Sequence, residues 1–264
     1  MKIGLKLWST NDNYIASAKE LFSAGVFDFI ELYVVPGSFA QYKDVWKSSG
    51  IPFTLHAPHT AHGFNLALRE KAASNLELFR EVAAFADHLA ASSIIVHPGI
   101  EGELASTLDQ LANFKQTLKS ETVALLTLEN KPYLSLYDTI CRGSTVDEVN
   151  AILLATGFHF CLDIGHAIKT ALYHKQDYLN YLDQFFTLNP SMIHLSDGHL
   201  DNCYDQHFSL GSGSFDLPAI MQRIHQKSIS TLILETSKSS KENLDDYARD
   251  VAVVRDLLNK GVLL

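Results

Sequence analysis

"SSIIVHPG" (residues 92–99) sets three β-branched apolar residues, Ile94, Ile95 and Val96, directly before a histidine and a Pro-Gly stop. Such a run suits a strand covered on both faces, and Pro98-Gly99 ends it just past His97. Just before it, "REKAASNLELFREVAAFADHLA" (69–90) spaces Leu76, Phe79, Val82, Phe85, Ala86 and Leu89 as the single apolar stripe of a helix. The two segments predict a helix feeding a buried strand. The same kind of strand recurs in "KIGLKLW" (2–8), "FDFIELYVV" (27–35), "PFTLHAP" (52–58), "TVALLTLEN" (122–130), "FHFCLDIGH" (158–166), "SMIHLSD" (191–197) and "STLILET" (230–236), with helical spacing between them. Eight alternating units of roughly 30 residues predict a single-domain α/β protein, a (β/α)8 TIM barrel over residues 1–264. A doubly wound open sheet is the alternative, but no GxGxxG follows the first strand. No linker, low-complexity tract or charge block divides the chain.

Composition narrows the function classes. A formal charge of −9 argues against nonspecific capture of nucleic acid or anionic membrane, while leaving room for a local basic or metal-lined patch that binds a phosphodiester. Three cysteines (Cys141, Cys161 and Cys203) without CxxC spacing read as thiols of a reducing compartment. The N-terminal residues lack a signal-peptide core, and no stretch reaches about 18 apolar residues. A cytoplasmic protein, monomeric or a small homo-oligomer, with no membrane partner is expected.

Polar chemistry gathers where the predicted strands end. His56, His97, Glu129, Asp163 with His166, His194 and Glu235 close strands three to eight, and "YDQHFSLGSG" adds Asp205 and His207. In a barrel these ends converge on the face that carries catalytic sites. A strand-end histidine taken alone is ordinarily a hydrogen-bonded structural group. A carboxylate ending an apolar strand is different, because its burial costs several kcal/mol unless it is paired or coordinated. Lys6, Lys131 and Lys238 are too few to neutralise four carboxylates and order five histidines, so divalent zinc or manganese is the simpler counter-charge.

The remaining polar residues near the same face carry weaker signals. His59, His62 and His199 lie in loops there and are candidates for substrate contact. Asp197 would either orient His194 or cap the following turn. Gly211 and Gly213 would approach phosphate through backbone N–H groups or simply turn the chain before a helix starting near Asp216. His88, His174 and His225, in predicted helices, and His159, at the opposite strand end, read as structural or surface groups.

In order along the chain, "LHAPH", "VHPG", "LEN", "CLDIGHA", "IHLSD", "YDQHFSLG" and "LILET" resemble the endonuclease IV family of apurinic/apyrimidinic endonucleases, within the xylose isomerase-like barrels. The resemblance spans strands three to eight and implies a trinuclear zinc site. His56, His97 and Glu129 would hold one ion, with Glu129 bridging to a second held by Asp163, His194 and Glu235. His166, Asp205 and His207 would hold the third. It implies hydrolysis of a phosphodiester on the 5′ side of an abasic site in DNA, with Glu129 and Glu235 as catalytic residues. Up to three Zn2+ ions would be bound, Mn2+ being the other candidate, and from their loop positions alone His59, His199, Gly211 and Gly213 are weaker candidates for substrate contact. The loops "VVPGSF" (34–39) and "HAPHTAHGFN" (56–65) depart from that family, lacking its arginine and its duplex-entering wedge. "FIELYV" is closer to the sugar isomerase and epimerase branch, whose single ion would need only Glu129, Asp163, His194 and Glu235. A small sugar or sugar phosphate is therefore the alternative substrate.

Overall fold

The computed structural model describes residues 1–118 and 124–261. Its eight strands are β1 (Lys2–Trp8), β2 (Phe29–Tyr33), β3 (Phe53–His56), β4 (Ser93–Val96), β5 (Leu125–Glu129), β6 (His159–Asp163), β7 (Met192–Leu195) and β8 (Thr231–Leu234). They form one closed parallel barrel, each strand paired with the next and β8 with β1. Among the described residues nine helices surround it: α1 (Ile15–Ser23), α2 (Phe39–Lys47), α3 (Ala72–Leu89), α4 (Leu104–Thr117), α5 (Val146–Thr156), α6 (Ile164–Tyr173), α7 (Tyr178–Phe186), α8 (Leu217–Gln226) and α9 (Asp245–Gly261). Every expected strand is present, several of them shorter than expected. Thr122 and Val123, assigned to the fifth strand from sequence, lie outside the described residues. Two details differ from expectation. The helix expected over 69–90 begins at Ala72 after a 3-10 turn at Arg69–Lys71, and the sixth unit carries two helices, α6 and α7.

Closure explains why the strands read as apolar on both faces. Leu5, Leu7, Ile30, Leu32, Leu55, Ile94, Val96, Leu162 and Leu232 point outward into the core between sheet and helices. There α3 buries Phe79, Val82, Phe85 and Leu89, and Phe79 stacks on Phe114 of α4 at 4.1 Å. Inside the barrel, Phe29, Ile95, Cys161, Met192 and Ile233 form a separate apolar floor. Gly4 leaves room for it, since a Cβ there would come within 2.5 Å of the Phe29 ring. The period of two along each strand then places the next inward residues one layer higher. Register sets Lys6 beside Glu31, Glu129 beside Cys161, and Asp163 beside His194. An apolar floor beneath a polar storey is thus built into the strands. No helix among the described residues is long and apolar enough to cross a membrane.

The long segment between β7 and α8 brings Asp205 and His207 to the mouth, and one buried carboxylate shapes it. Asp197 accepts from the amides of Gly198 (2.8 Å), Gly211 (2.9 Å), Gly213 (3.0 Å) and Phe215 (3.2 Å). It caps this loop and does not orient His194. Gly213 is required at close quarters, because a Cβ there would lie 2.4 Å from both the Asp197 carboxylate and the Gly198 carbonyl. Replacing Asp197 with alanine orphans four donors. Asp197→Ala should therefore lower the unfolding free energy by about 3 kcal/mol, measured by urea denaturation. An unchanged midpoint would show that the amides find water without loss.

Candidate metal centre

The polar storey holds Glu31, His56, Glu129 and His194, all fully buried, with Asp163, His166, His97 and Glu235 nearly so. Their ligand atoms fall into groups within 4.8 Å of one another: His56, His97 and Glu129; Glu129, Asp163, His194 and Glu235; His166, Asp205 and His207. All nine residues singled out at the strand ends are in these three groups, and Glu129 belongs to two. A fourth group, Glu31 with His56 and Glu235, was not anticipated.

Three of the five histidines are oriented by backbone carbonyls and a fourth by Glu31. The Nδ1–H groups of His56, His166 and His207 donate to the carbonyls of Ala57 (2.7 Å), Asn130 (2.8 Å) and Glu235 (2.9 Å). A carbonyl can only accept, so Nδ1 carries a proton in each ring and Nε2 is the atom turned toward the carboxylates; burial lowers the His166 imidazole, but Asp163 and Asp205 outweigh it and hold it well above the ordinary range. His194 is turned the other way: Nε2 bonds the Glu31 carboxylate at 3.0 Å, and Nδ1 lies 3.0 Å from Glu235 and 3.3 Å from Glu129. Glu31 thus takes the orienting part that Asp197 does not. It sits in the middle of its strand, and its only sequence signal is a carboxylate inside "FIELYV", facing inward only once the register with Lys6 is known. Asn130 was missed as well. Its side chain exchanges two hydrogen bonds with the Asp163 backbone (2.8 and 3.0 Å) and so ties β5 to β6.

"CLDIGHA" is resolved by two uses of one carboxylate. Asp163 Oδ1 caps the N-terminus of α6 by accepting from the His166 amide at 2.6 Å, while Oδ2 is buried without a partner. Gly165 keeps the corner open, because a Cβ there would sit 3.3 Å from Asp163 and 3.6 Å from Asp205. His207 adopts φ +49°, held by two bonds from Ser237 to its carbonyl, and its Nε2 reaches Asp205 at 2.5 Å. A non-glycine residue in this region stores strain of order 1–3 kcal/mol, of the kind that collects at ligand sites.

Electrostatics separates these groups from ordinary ion pairs. Burial pushes the Glu129 carboxyl up, but the neighbouring His97 and His194 rings outweigh it and hold it well below the usual range. Burial likewise raises Glu31, and His194 and Lys6 bring it down to about 2. Asp163 rises, chiefly through burial, and burial above all keeps His97 well below an ordinary imidazole. Both ring nitrogens of His97, Nδ1 of His194, Oε1 of Glu129, Oε1 of Glu31 and Oδ2 of Asp163 are buried without hydrogen-bond partners. Orphaned donor atoms of the ligand types that zinc and manganese accept, aimed at shared points, fit divalent ions.

The weaker candidates are placed differently. His59 is half-buried above His97 with its ring roughly parallel to it at 6.2 Å, and burial lowers its imidazole to about 3. The Tyr33 hydroxyl accepts from the His59 amide at 3.1 Å and bonds His62 Nδ1 at 2.7 Å. His199 is exposed and packs edge-on against Phe208, while its carbonyl accepts from Lys169. The amides of Gly211 and Gly213 are spent on Asp197, so these glycines turn the loop and offer no free N–H to a phosphate. His88 and His225 lie in α3 and α8, His174 directly follows α6, and none of them joins a ligand group. All three cysteines are free thiols.

Solved structures share this fold over nearly the whole chain. A D-tagatose 3-epimerase-like protein superposes with a TM-score of 0.76 at 17% identity, covering 99% of this chain and 98% of that one. Endonuclease IV from Thermus thermophilus superposes with a TM-score of 0.73 at 19% identity, over 98% and 100%. The IOLI protein with a binding zinc atom gives 0.73 at 14% identity, over 98% and 99%. At these identities the likeness is one of fold. No curated protein matches the sequence. The family model described as xylose isomerase-like TIM barrel matches residues 18–257, and the chain belongs to that family.

Proposed function

We propose that this chain is a divalent-metal-dependent phosphodiesterase, loaded with zinc or manganese, that cleaves DNA at abasic sites as endonuclease IV does. The observation that carries this reading is the third ligand group. His166, Asp205 and His207 form a set that shares no residue with the other two, and a one-ion sugar enzyme has no use for them. Divalent ions held in these groups would supply a bound water of lowered pKa and positive charge against the phosphate.

The rest is done by the protein's own atoms. Glu129, common to two groups, would hold an ion in each and orient an attacking water. Glu235 shares the second group and carries His207 on its carbonyl, which couples the second and third groups through one residue. Asn130 and Glu31 fix Asp163, His166 and His194 before any ligand arrives, so little reorganisation is needed when charge develops.

One observation favours a sugar isomerase or epimerase. Trp8 is 45% exposed at the mouth, its ring 5.5 Å from Tyr33 and 6.0 Å from His62. This aromatic wall borders the candidate centre, and Glu129, Asp163, His194 and Glu235 would suffice for one ion acting on a sugar. Free thiols suit a reducing, cytoplasmic setting under either reading.

Two measurements test the proposal. Metal-loaded protein should nick an abasic-site duplex, and His166→Ala should remove one ion per chain and lower nicking by at least about 100-fold. Interconversion of ketoses or their phosphates, unaffected by His166→Ala and without nicking, would select the sugar enzyme. Chelation should also lower the melting temperature, because an ion present at about 1,000 times its Kd contributes roughly 4 kcal/mol. A melting curve indifferent to chelator would contradict a metal centre of any nuclearity.

A further inference from the structure

Asp205 and His207 do not close a strand, and the loop that carries them is fastened to α6 by a buried cation. Lys169 follows His166 by three residues on α6, one turn further along, and is 1% exposed. Its ammonium donates to the carbonyls of His199 (2.6 Å) and Asn202 (3.2 Å) and to the Gln206 side-chain oxygen (3.0 Å). Asn202 Oδ1 lies 3.4 Å from it, and the centre of the Phe215 ring 5.5 Å. The same Gln206 oxygen accepts from the His199 amide at 2.8 Å, so the two ends of segment 199–206 meet at the ammonium.

This fastening sets a distance between two elements. His166 rides on α6, Asp205 sits in the loop next to Gln206, and Nε2 of the one lies 3.4 Å from Oδ2 of the other. An ammonium carries three donors and no acceptor, and charge-assisted bonds to three loop oxygens use all of them. An apolar side chain of the same length would fill the space and leave those oxygens without a donor. Asp197 gathers the amides of Gly198, Gly211, Gly213 and Phe215, and Ser237 holds the His207 carbonyl. Lys169 ties the stretch between these anchors to the helix that carries His166. Among the described residues its hydrogen bonds reach none of the nine ligand candidates.

We propose that Lys169 is the positioning residue of the third ligand group, holding Asp205 against His166 so that His166, Asp205 and His207 face one ion. This role rests on the reading that the third group takes an ion. The other two groups are drawn from strand ends whose spacing the barrel register fixes, as in the pairing of Glu129 with Cys161 and of Asp163 with His194, and they need no such strut. Loss of the ammonium therefore empties the third group and spares the others.

The test counts zinc ions per chain by native mass spectrometry on zinc-loaded full-length protein, over a series of chelator concentrations. Lys169→Met should hold one ion at least about tenfold more weakly than wild type and the others unchanged. Gln206→Met keeps the ammonium, removes the acceptor next to Asp205, and should weaken the same ion. In a His166→Ala background, Lys169→Met should change the count no further. Equal zinc retention by Lys169→Met and wild type, a uniform weakening of every ion, or a wild type with no ion at the third group would overturn the proposal. Nicking of the abasic duplex, measured on the same samples, separates it from the function assigned above. Selective loss of one ion in Lys169→Met, with no nicking by wild type, would remove the hydrolase and leave the role of Lys169 standing. Nicking by wild type and Lys169→Met alike, with every ion retained, would do the reverse.

Discussion

The structure turns on five carboxylates and five imidazoles gathered at the mouth of a barrel, all but Asp205 and His207 buried where water cannot solvate them. A single such carboxylate costs several kcal/mol to bury, and protons shared with the histidines, together with Lys6, meet only part of that cost. The oxygens of Glu31, Glu129 and Asp163 and the nitrogens of His97 and His194 that are buried without hydrogen bonds show what is left over. Divalent ions are the counter-charge whose coordination chemistry matches those atoms. The surrounding architecture serves this demand. The apolar floor of Phe29, Ile95, Cys161, Met192 and Ile233 closes the barrel from below, so the polar storey opens only toward the loops.

How firmly the groups are held matters as much as which groups they are. Backbone carbonyls orient the rings of His56, His166 and His207, and Glu31 orients that of His194. Asp163 caps α6 with one oxygen and leaves the other free. The Asp197 carboxylate draws four amides into one loop and so delivers Asp205 and His207 to the mouth. A preorganised set of this kind places the cost of ordering on folding rather than on ligand binding.

The fold and the six strand-end candidates were legible because a barrel strand is a short apolar run, and the polar residue at its close, by parity and position, faces the mouth. His97 after "SSIIV" and Glu129 after "LLTL" are read in this way from the chain alone. Glu31 and Lys6 were harder, because they lie inside their strands and their side is fixed only by the β1–β2 register. Asn130 was hidden behind a louder neighbour. The fate of Gly211 and Gly213 was unreadable, since the carboxylate that claims their amides lies 14 and 16 residues away. Nor does sequence spacing reveal a tautomer, which depends on carbonyls that every residue possesses.

The proposed function requires that three ligand groups, two of them sharing Glu129, hold three ions. Its most direct measurement is an anomalous difference map, recorded at the zinc edge from crystals of zinc-loaded protein. Three peaks are expected, one of them bounded by His166, Asp205 and His207. A single peak among Glu129, Asp163, His194 and Glu235, with nothing at His166, would contradict the claim.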